Sequence, residues 1–83
     1  MVIYKVKFSV ELWCDGLLQD TEIECVSVAS KDMETAIARA RKYAAKHRHK
    51  FEPHEETYEG ETNVFHYKNF RVTECVIAAE SDI

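Results

Sequence analysis

Proline occurs once and glycine twice in these 83 residues, a scarcity that excludes collagen-like repeats, flexible linkers and low-complexity tracts. Long apolar runs are also missing. No stretch approaches the roughly 18 residues of a membrane-spanning helix, and Met1 leads into alternating Val, Tyr and Lys instead of a secretory apolar segment, so neither a membrane nor export is expected. The three cysteines are odd in number and have no C-x-x-C spacing. That argues against a disulfide framework and fits a reducing cytoplasm, with Cys25 and Cys75 reading as small buried hydrophobes. Catalytic signatures are absent too: there is no G-x-S-x-G, no Gly-rich phosphate loop and no H-E-x-x-H. Cys14, before a turn, lacks a neighbouring base, and the adjacent Glu55 and Glu56 read as a solvated charge run. The expectation is a chain that is not an enzyme and carries no catalytic residue and no cofactor.

What is present is enough for one domain covering residues 1–83. Hydrophobic residues make up 46% of the chain, and a domain of this size buries roughly 60 to 65% of its unfolded surface, so the core is small. Val2, Tyr4, Val6, Phe8, Val10 and Leu12 alternate with Lys5, Lys7, Ser9 and Glu11, the period-2 pattern of a strand with one buried face. Asp15-Gly16 follows, and both residues tolerate the positive φ of a two-residue hairpin turn. Counting back from that turn pairs Cys14 with Leu17 and Trp13 with Leu18. It also sets Phe8 opposite Ile23, Val6 opposite Cys25, Lys7 opposite Glu24 and Ile3 opposite Val28.

A helix is expected next, with Ser30 as its N-cap and Asp32 and Glu34 in the first turn, where the helix dipole favours negative charge. Met33, Ile37, Ala40, Ala44, His47 and Phe51, flanked by Ala36, recur at helical spacing and form an apolar stripe. Pro53 disfavours helix at Glu52 and predicts a stop near Lys50 or Phe51. Residues 52–63 read as a polar connection, with Thr57 to Glu59 as a short edge strand. Val64 to Tyr67 and Phe70 to Ala79 read as two strands about a Lys68-Asn69 turn or as one long strand, and Glu80 to Ile83 as a frayed tail. The fold class is α+β, one helix packed on an antiparallel sheet, in the order β-β-α-β-β.

The net charge of −4 is unevenly spread. No acidic residue lies between Thr35 and Phe51, and Arg39, Lys42, Lys46, His49 and Lys50 fall opposite the apolar stripe as a basic ridge. Glu52, Glu55, Glu56, Glu59 and Glu61 follow at once. A phosphate-binding ridge normally accompanies a basic overall balance, so this one reads as a solvated helix face, and direct nucleic-acid binding is not expected. His47 and His49 are two apart on a helix and point about 200° from each other, so with His54 and His66 they read as no metal site. Trp13 and Leu18, with Ile3 and Val28, would face away from the helix on a sheet with one covered face, where they form a contact surface or lie under loops.

The stretch VSVASKDMETAIARARKYA after an alternating hairpin, followed by FRVTECVIAA, resembles a class of small phage and prophage proteins of β-β-α-β topology that includes anti-CRISPR inhibitors. The resemblance implies a stoichiometric inhibitor acting in the bacterial host cytoplasm, with a host protein or ribonucleoprotein complex as partner. Glu55, Glu56, Glu59, Glu61, Trp13 and Leu18 are then the candidate partner-binding residues, carboxylates standing where phosphates would otherwise sit. The alternatives are a nucleic-acid-binding domain using Arg39, Lys42, Lys46 and Lys50, and a homodimeric structural protein using the outer sheet face or a free edge strand.

Overall fold

Alternation in the first hairpin builds the centre of the molecule. The computed structural model of the chain describes residues 1–47 and 51–80. Along the chain run β1 (Val2–Cys14), β2 (Leu17–Ser30), α1 (Met33–His47), β3 (His54–Tyr58) and β4 (Glu61–Glu80). The strands form one antiparallel sheet in the order β2-β1-β4-β3, with α1 on one face, an α+β fold. Tyr4, Val6, Phe8 and Val10 of β1 are buried, and Lys5 and Lys7 between them are exposed.

The β1–β2 turn has φ of 49° at Asp15 and 80° at Gly16, so both central residues sit in the left-handed region that this hairpin needs. Cys14 pairs with Leu17 and Trp13 with Leu18, as the spacing predicts. Gln19 then forms a bulge, because Leu12 pairs with Asp20. Every partner beyond it moves by one residue. Val6 meets Val26, Phe8 meets Glu24, Lys7 meets Cys25 and Ile3 meets Ala29, which corrects the expected Val6–Cys25, Phe8–Ile23, Lys7–Glu24 and Ile3–Val28 pairs. A one-residue slip exchanges the faces of a strand. Val26 and Val28 therefore pack toward the core, while Ile23 and Cys25 are exposed. Cys25 is thus no buried hydrophobe, and Cys75 is half-buried against the core edge.

The helix starts at Asp32, not at Ser30. The Thr35 N–H donates to Asp32 Oδ1 at 2.7 Å and the Ala36 N–H to the Asp32 carbonyl at 3.1 Å, the pattern of an N-cap. Ser30 is fully buried, and its Oγ accepts from the Asp32 N–H at 3.4 Å. The buried face narrows to Ala36, Ala40 and Ala44, spaced four apart. Met33 and His47, expected in the stripe, are exposed, and His47 stacks on Tyr43 with ring centroids 4.3 Å apart. Ala36 and Ala40 pack with Tyr4 and Val6, and Ala44 with Phe8 and Val10, alanine letting the helix approach the sheet closely. The expected stop near Lys50 lies outside the described residues, and Phe51 is already non-helical. Phe51 meets the Phe70 ring edge-on at 6.2 Å, and Phe70 lies 4.7 Å from Phe8.

The second half of the sheet departs further from expectation. β3 occupies His54–Tyr58, inside the segment expected as a connection, and Glu59 belongs to a turn with Gly60 at φ of 51° and 84°. β4 is one continuous strand from Glu61 to Glu80, the second of the two readings of this segment, beginning earlier than the expected Val64. Asn69, expected in a tight turn, holds φ of 58° within the strand, where the β1 register skips between Ser9 and Glu11. Asn is among the few residues that tolerate this conformation, and a bulge uses it as readily as a turn. Glu80, expected in a frayed tail, pairs with Val2, and residues 81–83 lie outside the described residues.

The molecule measures 54 × 20 × 17 Å. A helix of 15 residues spans about 22 Å, so α1 covers less than half of the long axis. The remainder is a bare arm built from Leu12–Leu18, β3 and residues 61–67, in which no described residue is fully buried.

Candidate protein-binding surfaces

The arm carries the acidic candidates. Glu55 pairs with Val64 and Glu56 with Asn63 on adjacent positions of β3, so their side chains leave opposite faces of the sheet. Glu59 lies in the tip turn, and Glu61 opens β4 opposite Tyr58. All four glutamates are exposed, and Tyr58 beside them is 81% exposed. The arm is braced at three points. The Thr57 and Thr62 hydroxyls lie 3.0 Å apart across β3 and β4. Asp15 is tied to β4 twice, its N–H donating to the Val64 carbonyl at 2.9 Å and its Oδ1 accepting the Val64 N–H at 3.1 Å. Tyr67 reaches from β4 across β1 to donate to Glu22 Oε2 on β2 at 2.7 Å, sealing the core where the helix ends.

Trp13 is only half-exposed, on the face away from α1, and its polar and aromatic capacity is engaged within the sheet. Its indole N–H donates to Glu11 Oε1 at 2.9 Å, and the Lys68 ammonium stands 3.8 Å from its ring centroid, a cation–π contact. Asn69 Nδ2 donates to the same Glu11 oxygen at 2.6 Å. Hydrogen bonds from Asn69 and then Trp13 hold the Glu11 carboxyl below its ordinary range. Leu18, opposite Trp13, is 51% exposed and has the freer apolar surface of the pair.

The basic ridge is divided. Arg39 Nη1 donates to the Ala29 carbonyl at 2.7 Å, and Arg41 turns to the other flank, its guanidinium 4.6 Å from the Phe51 ring centroid. Lys42 and Lys46 are exposed, and Lys50 lies outside the described residues.

The histidines are dispersed. His54 faces Phe65 and His66 follows on the opposite face beside Trp13, while His49 lies outside the described residues. His54 Nε2 stands 3.9 Å from Glu56 Oε1. Among the described residues no three His, Cys, Asp or Glu side chains converge on one point. The Cys14 thiol is pushed up by desolvation and by the carboxylate of Asp15, to which it donates at 3.5 Å. The thiolate is disfavoured there.

Sequence reasoning missed a groove between α1 and the outer edge of β2, lined by Cys25 to Ala29, Arg39 and Tyr43. Its signal is the run CVSVA, which lies within CVSVAS, the longest part of β2 without charge. No protein-family model, curated protein or solved structure matches this chain.

Proposed function

We propose that the chain is a non-enzymatic protein-binding module whose acidic arm engages a basic surface of a partner. The supporting observation is the placement of Glu55, Glu56, Glu59 and Glu61, all exposed on a hairpin beyond the reach of α1. Carboxylates on both faces and at the tip let the arm enter a basic cleft and meet cations on either wall. A surface that normally holds nucleic acid has that character, so the arm acts as a stoichiometric competitor of phosphate. A ribonucleoprotein defence complex in a bacterial cytoplasm is the partner class this chemistry and the phage-protein resemblance favour. The nucleic-acid-binding alternative is weakened by the net charge of −4 and by the turn of Arg41 to the Phe51 flank, which leaves Arg39, Lys42 and Lys46 as the described cations of the ridge.

Displacement of a labelled duplex from purified RNA-guided defence complexes tests this reading. The wild-type chain is expected to displace the duplex at near-equimolar amounts. Combined Glu55→Lys, Glu56→Lys and Glu59→Lys should lose the effect, most strongly at low salt, whereas Arg39→Glu with Lys46→Glu should retain it. Failure of displacement, or micromolar binding of the chain itself to duplex that the ridge variants abolish, contradicts it.

A further inference from the structure

The groove along β2 belongs to an open sheet edge, since β2 is the outermost strand on that side. In an antiparallel ladder alternate residues direct their backbone groups to alternate sides. The Arg39 guanidinium takes the Ala29 carbonyl from outside the sheet, so Ala29, Ser27 and Cys25 present their N–H and C=O groups outward. Edges of this kind are normally blunted by bulges, inward charges or proline. The far half of β2 has such devices, in the Gln19 bulge and in Glu22 and Glu24, which pair with Val10 and Phe8 on the core-facing side. Irregular register interrupts β4 near Phe70, Thr73 and Ala78. The segment from Cys25 to Ala29 has no bulge, inward charge or proline, and of its outward groups the Ala29 carbonyl is held by Arg39, a bond that an added strand would exchange for its own.

One flank of α1 overlooks this open segment. Arg39 and Tyr43 line the groove, and Lys46 lies one further turn along the same flank by helical spacing. The groove has a volume of about 490 Å³, and five residues of added strand would run about 17 Å along it. We propose that this edge accepts an extended acidic segment of a partner protein by strand addition. Its carboxylates would face Arg39 and Lys46, and its alternate apolar side chains would lie beside Ile23 and Cys25 on the outer face. Charge decides the occupant. Symmetric pairing of β2 with a second copy would bring two Arg39 and Lys46 flanks together at like charge, whereas an acidic strand neutralises one. This surface is separate from the acidic arm, so either reading can fail without the other.

The probe is an acetylated, amidated heptapeptide alternating Glu and Val, titrated into the isotopically labelled full chain at low salt. Saturable binding is expected, with amide shifts concentrated at residues 25–29. The same peptide with alternate backbone nitrogens methylated keeps its charge but cannot join a ladder, and should bind at least tenfold more weakly. A Lys/Val peptide should also bind at least tenfold more weakly. Arg39→Glu with Lys46→Glu should cost a similar factor, and the methylated peptide keeps the test independent of whether that variant folds. Absence of saturation at millimolar peptide, equal binding of the methylated or Lys/Val peptide, shifts centred elsewhere, or a dimer in sedimentation that protects residues 25–29 would each overturn the proposal.

Discussion

Strands β1 and β4 run the length of the molecule, yet the half beneath α1 and the half beyond it are held by different forces. Under the helix, Tyr4, Val6, Phe8 and Val10 lose almost all contact with water against three alanines. Beyond it, Leu12, Cys14 and Phe65 have no covering layer and remain half-exposed. The arm relies on strand pairing and a few side-chain bonds, such as those of Asp15 to Val64 and Thr57 to Thr62. Backbone hydrogen bonds contribute only about 0.5 to 1.5 kcal/mol each, net of water, whereas a fully buried Val or Phe contributes about 1.5 to 3. One sheet therefore combines a stability-bearing half with a half free to present charge.

Substitution of one aromatic residue in each half gives the largest contrast. Phe8→Ala should destabilise the domain by about 3 to 5 kcal/mol in chemical denaturation, whereas Tyr58→Ala on the arm should stay within about 0.5. Comparable losses would mean that the arm is part of the cooperative core. Ala40→Leu tests the closeness of the helix. It should cost about 1 to 3 kcal/mol by overpacking against Tyr4 and Val6, and a neutral result would show that the helix can lift from the sheet.

Gly60→Val probes the arm alone. No atom lies within 4 Å of the position a Cβ would take, and φ is 84°, so the strain comes from the backbone, about 1 to 2 kcal/mol. Faster amide exchange at β3 and its partner residues is the expected outcome, with a fall in global stability no larger than that strain.

Acid titration gives a smaller effect, from one carboxylate at the helix N-terminus and one where the covered half meets the arm. Asp32 is held below its ordinary pKa by the Thr35 N–H, and Glu11 by Asn69 and Trp13. A depressed folded value means that the stabilisation is complete above the unfolded pKa of about 4 and is lost as pH falls through the folded value. Asp32→Asn should flatten the fall in melting temperature on acidification. Glu11→Gln should flatten it as well, and should also change the acid response of amides near Trp13 and Asn69.

Much of the covered half was legible in the sequence, since alternation in β1 names its core residues and Asp15-Gly16 names its turn. The Gln19 bulge was not, because it involves neither Gly nor a positive φ and so leaves no mark in the residue types. Ser30 looked like a cap because Ser and Asp share that chemistry, and only geometry shows which one reaches the third helical N–H. In the arm, β3 is rich in Glu and Thr and lacks the apolar alternation that marks a strand, so its pairing depends on the Glu59-Gly60 turn and on β4. Asn69 signalled a left-handed residue correctly, yet turn and bulge share that signal. The acidic candidates lie on the arm, while the β2 edge groove needs α1 packed beside the uncharged run of β2, and that run alone does not show the packing.

Native-state hydrogen exchange tests the division of the sheet most directly. The amides of Val6 and Phe8 should exchange only through global unfolding, at the free energy measured by denaturant. Those of Glu56 and Phe65, which face their partners Asn63 and His54 across β3 and β4, should exchange at least tenfold faster through local opening that is insensitive to denaturant. Uniform protection from Val6 through Phe65, with all four amides following the global transition, would contradict the account.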